Sequence, residues 1–339
     1  MGRKPSGRPT SFDIAYLAGV SQPTVSRALR GSKSVGPATR QRIEQIAREL
    51  NYTVDKHASS LRSQQADTIA LLFFEDPTPD DSMINPFFLA MLGSITRQCA
   101  NRGLDLLISF QRMEDDWHVA YQDSHKADGL LLLGYGDYTA YQARLAHLME
   151  QGTHFVRWGS VDANMIGPTV GSDNFGAGRL VGEHLTGLGC RRIAFLGHAD
   201  EHYPEFADRY RGLCEALDQA PAYQLDAITT EEAGHAACQT LLRQGARFEA
   251  IFAASDLIAM GAMRALAEAG KRVPRDVKIV GFDDIPAASL TNPPLTTIMQ
   301  DMKGAGELLV ETLMAHVQEG EPPPPTLPTR LVVRGSTAG

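Results

Sequence analysis

The chain has little cysteine: four in 339 residues, at Cys99, Cys190, Cys214 and Cys238, with no CxxC spacing and no histidine pair beside them. Thiols scattered in this way fit buried, reduced side chains. They argue against a disulfide framework and against a zinc site. Long apolar runs are also missing, and none approaches the ~20 residues that a membrane-spanning helix needs. The opening MGRKPSGRPTS is basic but lacks the apolar stretch of a secretory signal, so a cytoplasmic location is expected. There is no GxSxG, no Walker loop and no HExxH, and the histidines are dispersed. Neither catalysis, a cofactor nor a metal is therefore expected. Low-complexity sequence is confined to the run Pro322 to Pro325.

What is present is ordinary in bulk: 43% hydrophobic and 21% charged residues, the profile of a soluble globular protein. The length is too great for one compact core, which points to two or three domains. Charge is spread unevenly. Residues 1–65 carry eleven Lys and Arg against four Asp and Glu, a net +7; with the whole chain at −8, residues 66–339 carry −15. A cationic head on an anionic body is the footprint of a nucleic-acid module joined to something else.

The head contains TSFDIAYLAGVSQPTVSRAL, residues 10–29. Ile14, Ala15, Leu17 and Ala18 form an apolar stripe at helical spacing. Gly19 stops that helix, because glycine enters left-handed φ/ψ without steric cost. Ser21 is placed to cap a second helix whose first turn tolerates Pro23. Val25, Ala28 and Leu29 face back to the first helix, leaving Gln22, Thr24, Ser26 and Arg27 outward. A short helix with that polar face suits the major groove of DNA. A third amphipathic helix, with Pro37 near its start and Ile43, Ile46, Ala47 and Leu50 along one side, closes the module.

DIAYLAGVSQPTVSRAL resembles the helix-turn-helix of the lactose-repressor and galactose-repressor family of bacterial transcriptional regulators. The resemblance continues through Asn85-Pro86-Phe87-Phe88, Asp173-Asn174, Arg209-Tyr210-Arg211-Gly212, Gly281-Phe282-Asp283-Asp284 and Pro294-Leu295-Thr296-Thr297-Ile298. It implies DNA contacts from Ser21, Gln22, Pro23, Thr24, Ser26 and Arg27. In the linker TVDKHASSLRSQQ it implies a hinge helix whose Leu61 enters the minor groove beside Arg62. An apolar wedge there unstacks a base step while cations hold the backbone.

From Thr68 onward, apolar runs at 68–74, 104–110, 128–134, 153–159, 191–197, 249–254 and 277–282 alternate with helix-like segments. That alternation marks parallel sheets covered on both faces, with too many strands for one sheet. The same resemblance implies a two-lobed α/β body similar to periplasmic sugar-binding proteins. The expected division is a helix-turn-helix domain 1–52, a hinge 53–65 and an effector-binding and dimerisation domain 66–339. Within the last, one lobe takes 66–170 plus 299–326 and the other 171–298 plus 327–339.

Ligands of open α/β sheets bind outside the carboxyl ends of the strands. Candidate effector residues are therefore Phe87, Phe88, Trp158, Arg209, Ser255, Asp256 and Asp283, and the resemblance implies that the first three lie on the first lobe and the other four on the second. Aromatic faces and charged hydrogen-bonding groups suit a sugar. Ser255 stands where the family usually has asparagine, and Arg157 beside Trp158 is unexpected at a strand end, a cation suited to an acidic or an extra hydroxyl group of the ligand. The reading is a homodimeric repressor of near-palindromic operator DNA, controlled by a small molecule, most simply a sugar. The dimer surface is expected on the helix of residues 87–101, with Leu89, Leu92 and Ile95, and no trailing leucine-heptad segment is present to build a tetramer. The alternatives are a purine-type corepressor stacked on Phe88 and Trp158 or, further off, a sugar-binding protein or an enzyme with a fused DNA-targeting module.

Overall fold

The computed structural model describes residues 9–29, 32, 34–52, 66–73, 84–110, 116–134, 136–162 and 165–338. The chain divides into two compact units, Met1–Ala66 and Asp67–Gly339. The expected hinge, with Leu61 and Arg62, lies outside the described residues.

The first unit is three helices: α1 (Ser11–Ala18), α2 (Gln22–Leu29) and α3 (Pro37–Glu49). A reciprocal cap starts α1. Thr10 Oγ1 accepts the Asp13 N–H at 3.4 Å, and the Asp13 carboxylate accepts the Thr10 N–H at 2.8 Å. Gly19, at φ +62°, ends the helix in the left-handed region. Ile14, Ala15, Ala18, Val25, Ala28, Val35, Ile43 and Ala47 make the small core. Leu17 is a correction: it is 50% exposed, beside the still more exposed Tyr16. In so small a bundle the buried stripe is only Ile14, Ala15 and Ala18 wide.

The second unit has two sheets. β1 (Thr68–Phe73), β2 (Asp105–Phe110), β3 (Gly129–Leu133), β4 (Phe155–Trp158) and β5 (Thr169–Ser172) build the first lobe with helices α4 (Pro86–Arg102) and α5 (Tyr138–Glu150). The chain then enters the second lobe through α6 (Asn174–Gly187). It continues with β6 (Ile193–Leu196), α7 (Pro204–Leu217), β7 (Tyr223–Leu225), α8 (Glu231–Arg243), β8 (Ala250–Ala253), α9 (Asp256–Glu268), β9 (Lys278–Asp283) and β10 (Thr296–Gln300). It returns for α10 (Met302–Val317) and β11 (Thr326–Leu327), and finishes in the second sheet as β12 (Thr329–Val332).

The sheet orders are β11-β5-β4-β3-β1-β2 and β12-β10-β9-β8-β6-β7. All pairs are parallel except β10 with β12. Parallel strands need covered faces, which is why runs such as Leu130–Leu133 and Ile251–Ala253 are wholly buried. The crossings fall at Asp173, Asp301 and Pro328, a few residues beyond the expected boundaries near 170, 298 and 326. β5 and β10 each keep pairing to their last residues, Ser172 and Gln300, before the chain leaves the sheet.

Candidate effector site and nucleic-acid interface

On the first unit, α2 presents Pro23 and Arg27 fully outward, next to Ser21. Ser21 Oγ and Thr24 Oγ1 share a hydrogen bond of 2.9 Å across the first turn. Gln22 is only half exposed, because its Nε2 donates to Ser11 Oγ at 3.2 Å, which fixes the amide where α2 crosses α1. Thr24 and Ser26 are half-buried. The face is therefore the exposed Ser21, Pro23 and Arg27 with the half-buried Gln22, Thr24 and Ser26, and α1 adds Phe12 and Tyr16, 71% and 87% exposed.

In the second unit the carboxyl ends of the strands gather a polar cluster. Arg209, in the second turn of α7, is wholly buried. Its Nε donates to Asn174 Oδ1 at 2.8 Å, its Nη1 donates to the Ala254 carbonyl, and its guanidinium lies 3.6 Å from the Phe282 ring centre. Asp283 ends β9 at φ +116°, and its Oδ1 accepts the Gln300 amide at 2.7 Å. Asp256 is fully buried, accepting Thr297 Oγ1 at 2.6 Å and the Ile285 N–H at 2.9 Å. Burial, reinforced by the neighbouring Asp283 charge, pushes the Asp256 carboxyl well above the ordinary range. Ser255 serves the helix behind the site, where its hydroxyl caps α9 by accepting the Ile258 N–H at 3.3 Å. Its side chain is committed to that cap, since a serine before a helix start satisfies an otherwise orphaned N–H.

The first-lobe candidates sit otherwise. Phe87 and Phe88 are fully buried and Trp158 is 2% exposed. Phe87 packs against Phe88 at 5.1 Å and against Trp158 at 6.0 Å between ring centres. These rings pack together in the core of the first lobe. Sequence alone could not separate that role, because an aromatic residue after a strand serves a core and a cleft equally well. Two site groups escaped the sequence reading, Asn174 and Gln300. Their signal is a polar residue at the end of a buried strand or at the first helical position after it.

The lobes meet along a charged seam. Ser160, after β4, donates its backbone N–H to Glu205 Oε1 at 3.0 Å and its hydroxyl to Asp208 at 2.5 Å. Arg211 donates to the same Asp208. The Tyr138 N–H donates to the His202 carbonyl at 2.8 Å, and His202 Nδ1 lies 2.9 Å from the Asp137 carboxylate. That hydrogen bond raises the His202 pKa. A pocket of about 510 Å³ opens beside the seam between Tyr138, Gln142 and Ser160 of one lobe and Pro204, Asp208 and Arg211 of the other. Near the strand ends, Ser172 Oγ and Thr229 Oγ1 are buried without a hydrogen-bond partner; the same holds for Nε and Nη2 of Arg157 on the seam, and for Gln151 Oε1 and Thr312 Oγ1 elsewhere. Unmet buried hydroxyls such as those of Ser172 and Thr229 are costly and match a polyhydroxylated ligand.

A three-helix DNA-reading unit carried with a two-lobed α/β body, whose strand ends converge on buried polar groups, defines a ligand-responsive transcription regulator. Residues 12–55 match the model for bacterial regulatory proteins of the lacI family, and residues 183–337 match a periplasmic binding protein-like domain. The regulator CelR of Thermobifida fusca is 32% identical, over 97% of this chain and 98% of its own. The lac repressor dimer bound to operator and the anti-inducer ONPF superposes with a TM-score of 0.82 at 26% identity, covering 98% of this chain and all of that one. A CelR–cellobiose complex gives a TM-score of 0.70 at 30% identity, covering 97% of this chain and all of that one. This chain belongs to the lacI family of bacterial regulatory proteins. No helix among the described residues is long and apolar enough to cross a membrane.

Proposed function

We propose that this protein works in the cytoplasm as a homodimeric repressor of a near-palindromic operator, and that a sugar held between its lobes controls the binding. Residues 1–52 read the DNA, residues 53–65 couple the head to the body, and residues 66–339 bind the sugar and dimerise. Gln22 and Arg27 read base edges, since amide and guanidinium groups bond bidentately to adenine and guanine. Pro23 offers apolar contact, and Ser21, Thr24 and Ser26 orient the helix against the backbone. The observation that carries the sugar reading is the buried set Arg209, Asp283, Gln300 and Asn174 at the strand ends. It offers charged donors and acceptors to hydroxyl groups. The CelR–cellobiose complex, from a relative of matching architecture, supports the same ligand class. A sugar touching both lobes favours the closed form and so shifts the population that the operator sees.

Dimerisation is read from the surface. Leu107, Ile108 and Phe110 on β2, an edge strand, are 39%, 45% and 52% exposed, beside Leu89 at 53% on α4, with Leu290 at 84% on the second lobe. Ile95, expected on this surface, is core instead.

The test is a melting-temperature screen of the full chain with cellobiose, maltose, ribose, adenine and hypoxanthine, beside operator titration by fluorescence anisotropy. A sugar should raise the melting temperature. Arg209→Ala should abolish that rise while operator binding persists. Gln22→Ala should relax preference at one operator position. A response to purines alone overturns the sugar reading.

A further inference from the structure

We infer that Arg157 and Glu205 are the pair that holds the two lobes shut, with Gly159 as the gap that lets them approach. The inference rests on the lobe-closure reading above, and adds residues that set the open–closed balance without touching the sugar.

Arg157 belongs to β4 of the first lobe and is fully buried. Its guanidinium lies 4.9 Å from the Tyr138 ring centre. Its Nε and Nη2 have no hydrogen-bond partner, and it joins no ion pair within 4.0 Å among the described residues. A buried cation in that position needs an anion nearby. The acid that comes to it is on the other lobe. Glu205, in the first turn of α7, is 6% exposed. A Cβ added to Gly159 would stand 2.5 Å from Arg157 Nη1 and 2.7 Å from Glu205 Oε1. The two charged groups are therefore no further apart than those distances together. The same Glu205 oxygen accepts the Ser160 N–H, and one turn on Asp208 accepts the Ser160 hydroxyl. The strand end Gly159-Ser160 thus sits in a fork made by successive turns of α7.

This attraction belongs to the closed form. With the lobes together the pair lies in a dry seam, where opposite charges attract far more strongly than in water. With the lobes apart, Arg157 keeps its own-lobe contact with Tyr138 and loses Glu205. The acidic group suited to Arg157 is the protein's own. A side chain at Gly159 would meet the tips of both partners, so that one or both must shift away.

The experiment uses the full-length chain without sugar. Spin labels replace the exposed Glu150, at the end of α5, and Gln219, beyond α7, with Cys214→Ser removing the half-exposed native thiol. Pulsed electron resonance then reads the distance between lobes. The unaltered seam should give a larger short-distance population beside a smaller open one, which a sugar would draw in. Glu205→Gln keeps the acceptor for Ser160 and removes only the charge. Gly159→Ala keeps both charges and wedges them apart. Each should move roughly half or more of the population to longer distances while the protein still melts cooperatively. Arg157→Met combined with Glu205→Gln should move the population no further than either alone, since the two share one interaction. Unchanged distances in both Glu205→Gln and Gly159→Ala, or fully additive shifts in the double variant, overturn the inference, whichever ligand the body proves to bind.

Discussion

Asp256 is the residue at which burial and charge conflict most plainly. Both carboxylate oxygens accept hydrogen bonds, yet burial and the adjacent Asp283 hold its pKa well up. A raised carboxyl pKa means that the fold keeps a proton the unfolded chain gives up. The stabilising contribution is then complete below the ordinary carboxylate range and is lost as pH rises through the raised value. Asp256→Asn mimics the protonated acid: its carbonyl serves the Ile285 N–H and its amide serves the Thr297 hydroxyl. Thermal melts of both proteins should coincide near pH 4. By pH 8 the variant should equal or exceed the parent by up to ~1 kcal/mol; a variant that melts lower at pH 8 than at pH 4, relative to its parent, contradicts the assignment. Arg209 and Asp283 were legible in the sequence because charged residues in the segments that follow buried apolar runs have few structural reasons to be there. Gln300 was not, since the strand leading to it begins with two threonines. Thr296 and Thr297 are both fully buried, with hydroxyls bonded to Thr337 and Asp256, so their polarity disguised a core strand.

At the scale of elements, both helix pairs of the second lobe pack backbone on backbone. Between α6 and α7, a Cβ on Gly178 would lie 2.1 Å from the Arg209 carbonyl, and one on Gly212 would lie 2.0 Å from that of Phe175. Between α8 and α9, Gly234 and Gly261 do the same against Ile258 and Glu231, at 2.2 and 1.9 Å. Gly178→Ala should therefore force α7 outward and cost ~1–3 kcal/mol. Because the displaced carbonyl is that of Arg209, sugar affinity should fall more than operator affinity. Calorimetry beside anisotropy checks the difference, and equal losses would indicate a general loss of fold. Most of this architecture was readable beforehand: the seven expected apolar runs are all strands, and long amphipathic stretches are all helices. Five strands went unread: β5, β7, β11 and β12, whose two to four residues carry little periodicity, and β10, whose threonines hide its burial.

For the whole molecule, the β2 edge is the point most exposed to test. Unpaired edge strands with apolar side chains recruit partners, and the proposed dimer puts a second copy on this one. Phe110→Asp should give mainly monomer in sedimentation at micromolar concentration. Operator affinity should drop about a hundredfold, because one head no longer holds the other at its half-site. The sugar response should survive. A stable dimer would place the interface elsewhere. The chain crosses between lobes at Asp173, Asp301 and Pro328, so residues 174–300 run through the second lobe without leaving it. Asn174, Arg209, Ser255, Asp256, Asp283 and Gln300 all fall inside that one stretch. Its coding sequence is thus a natural cassette: a recombination with joints at the first two crossings exchanges this half of the proposed ligand site as a block. The DNA-reading helices and the β2 edge stay as they were, and the regulator inherits a new signal for an old set of genes.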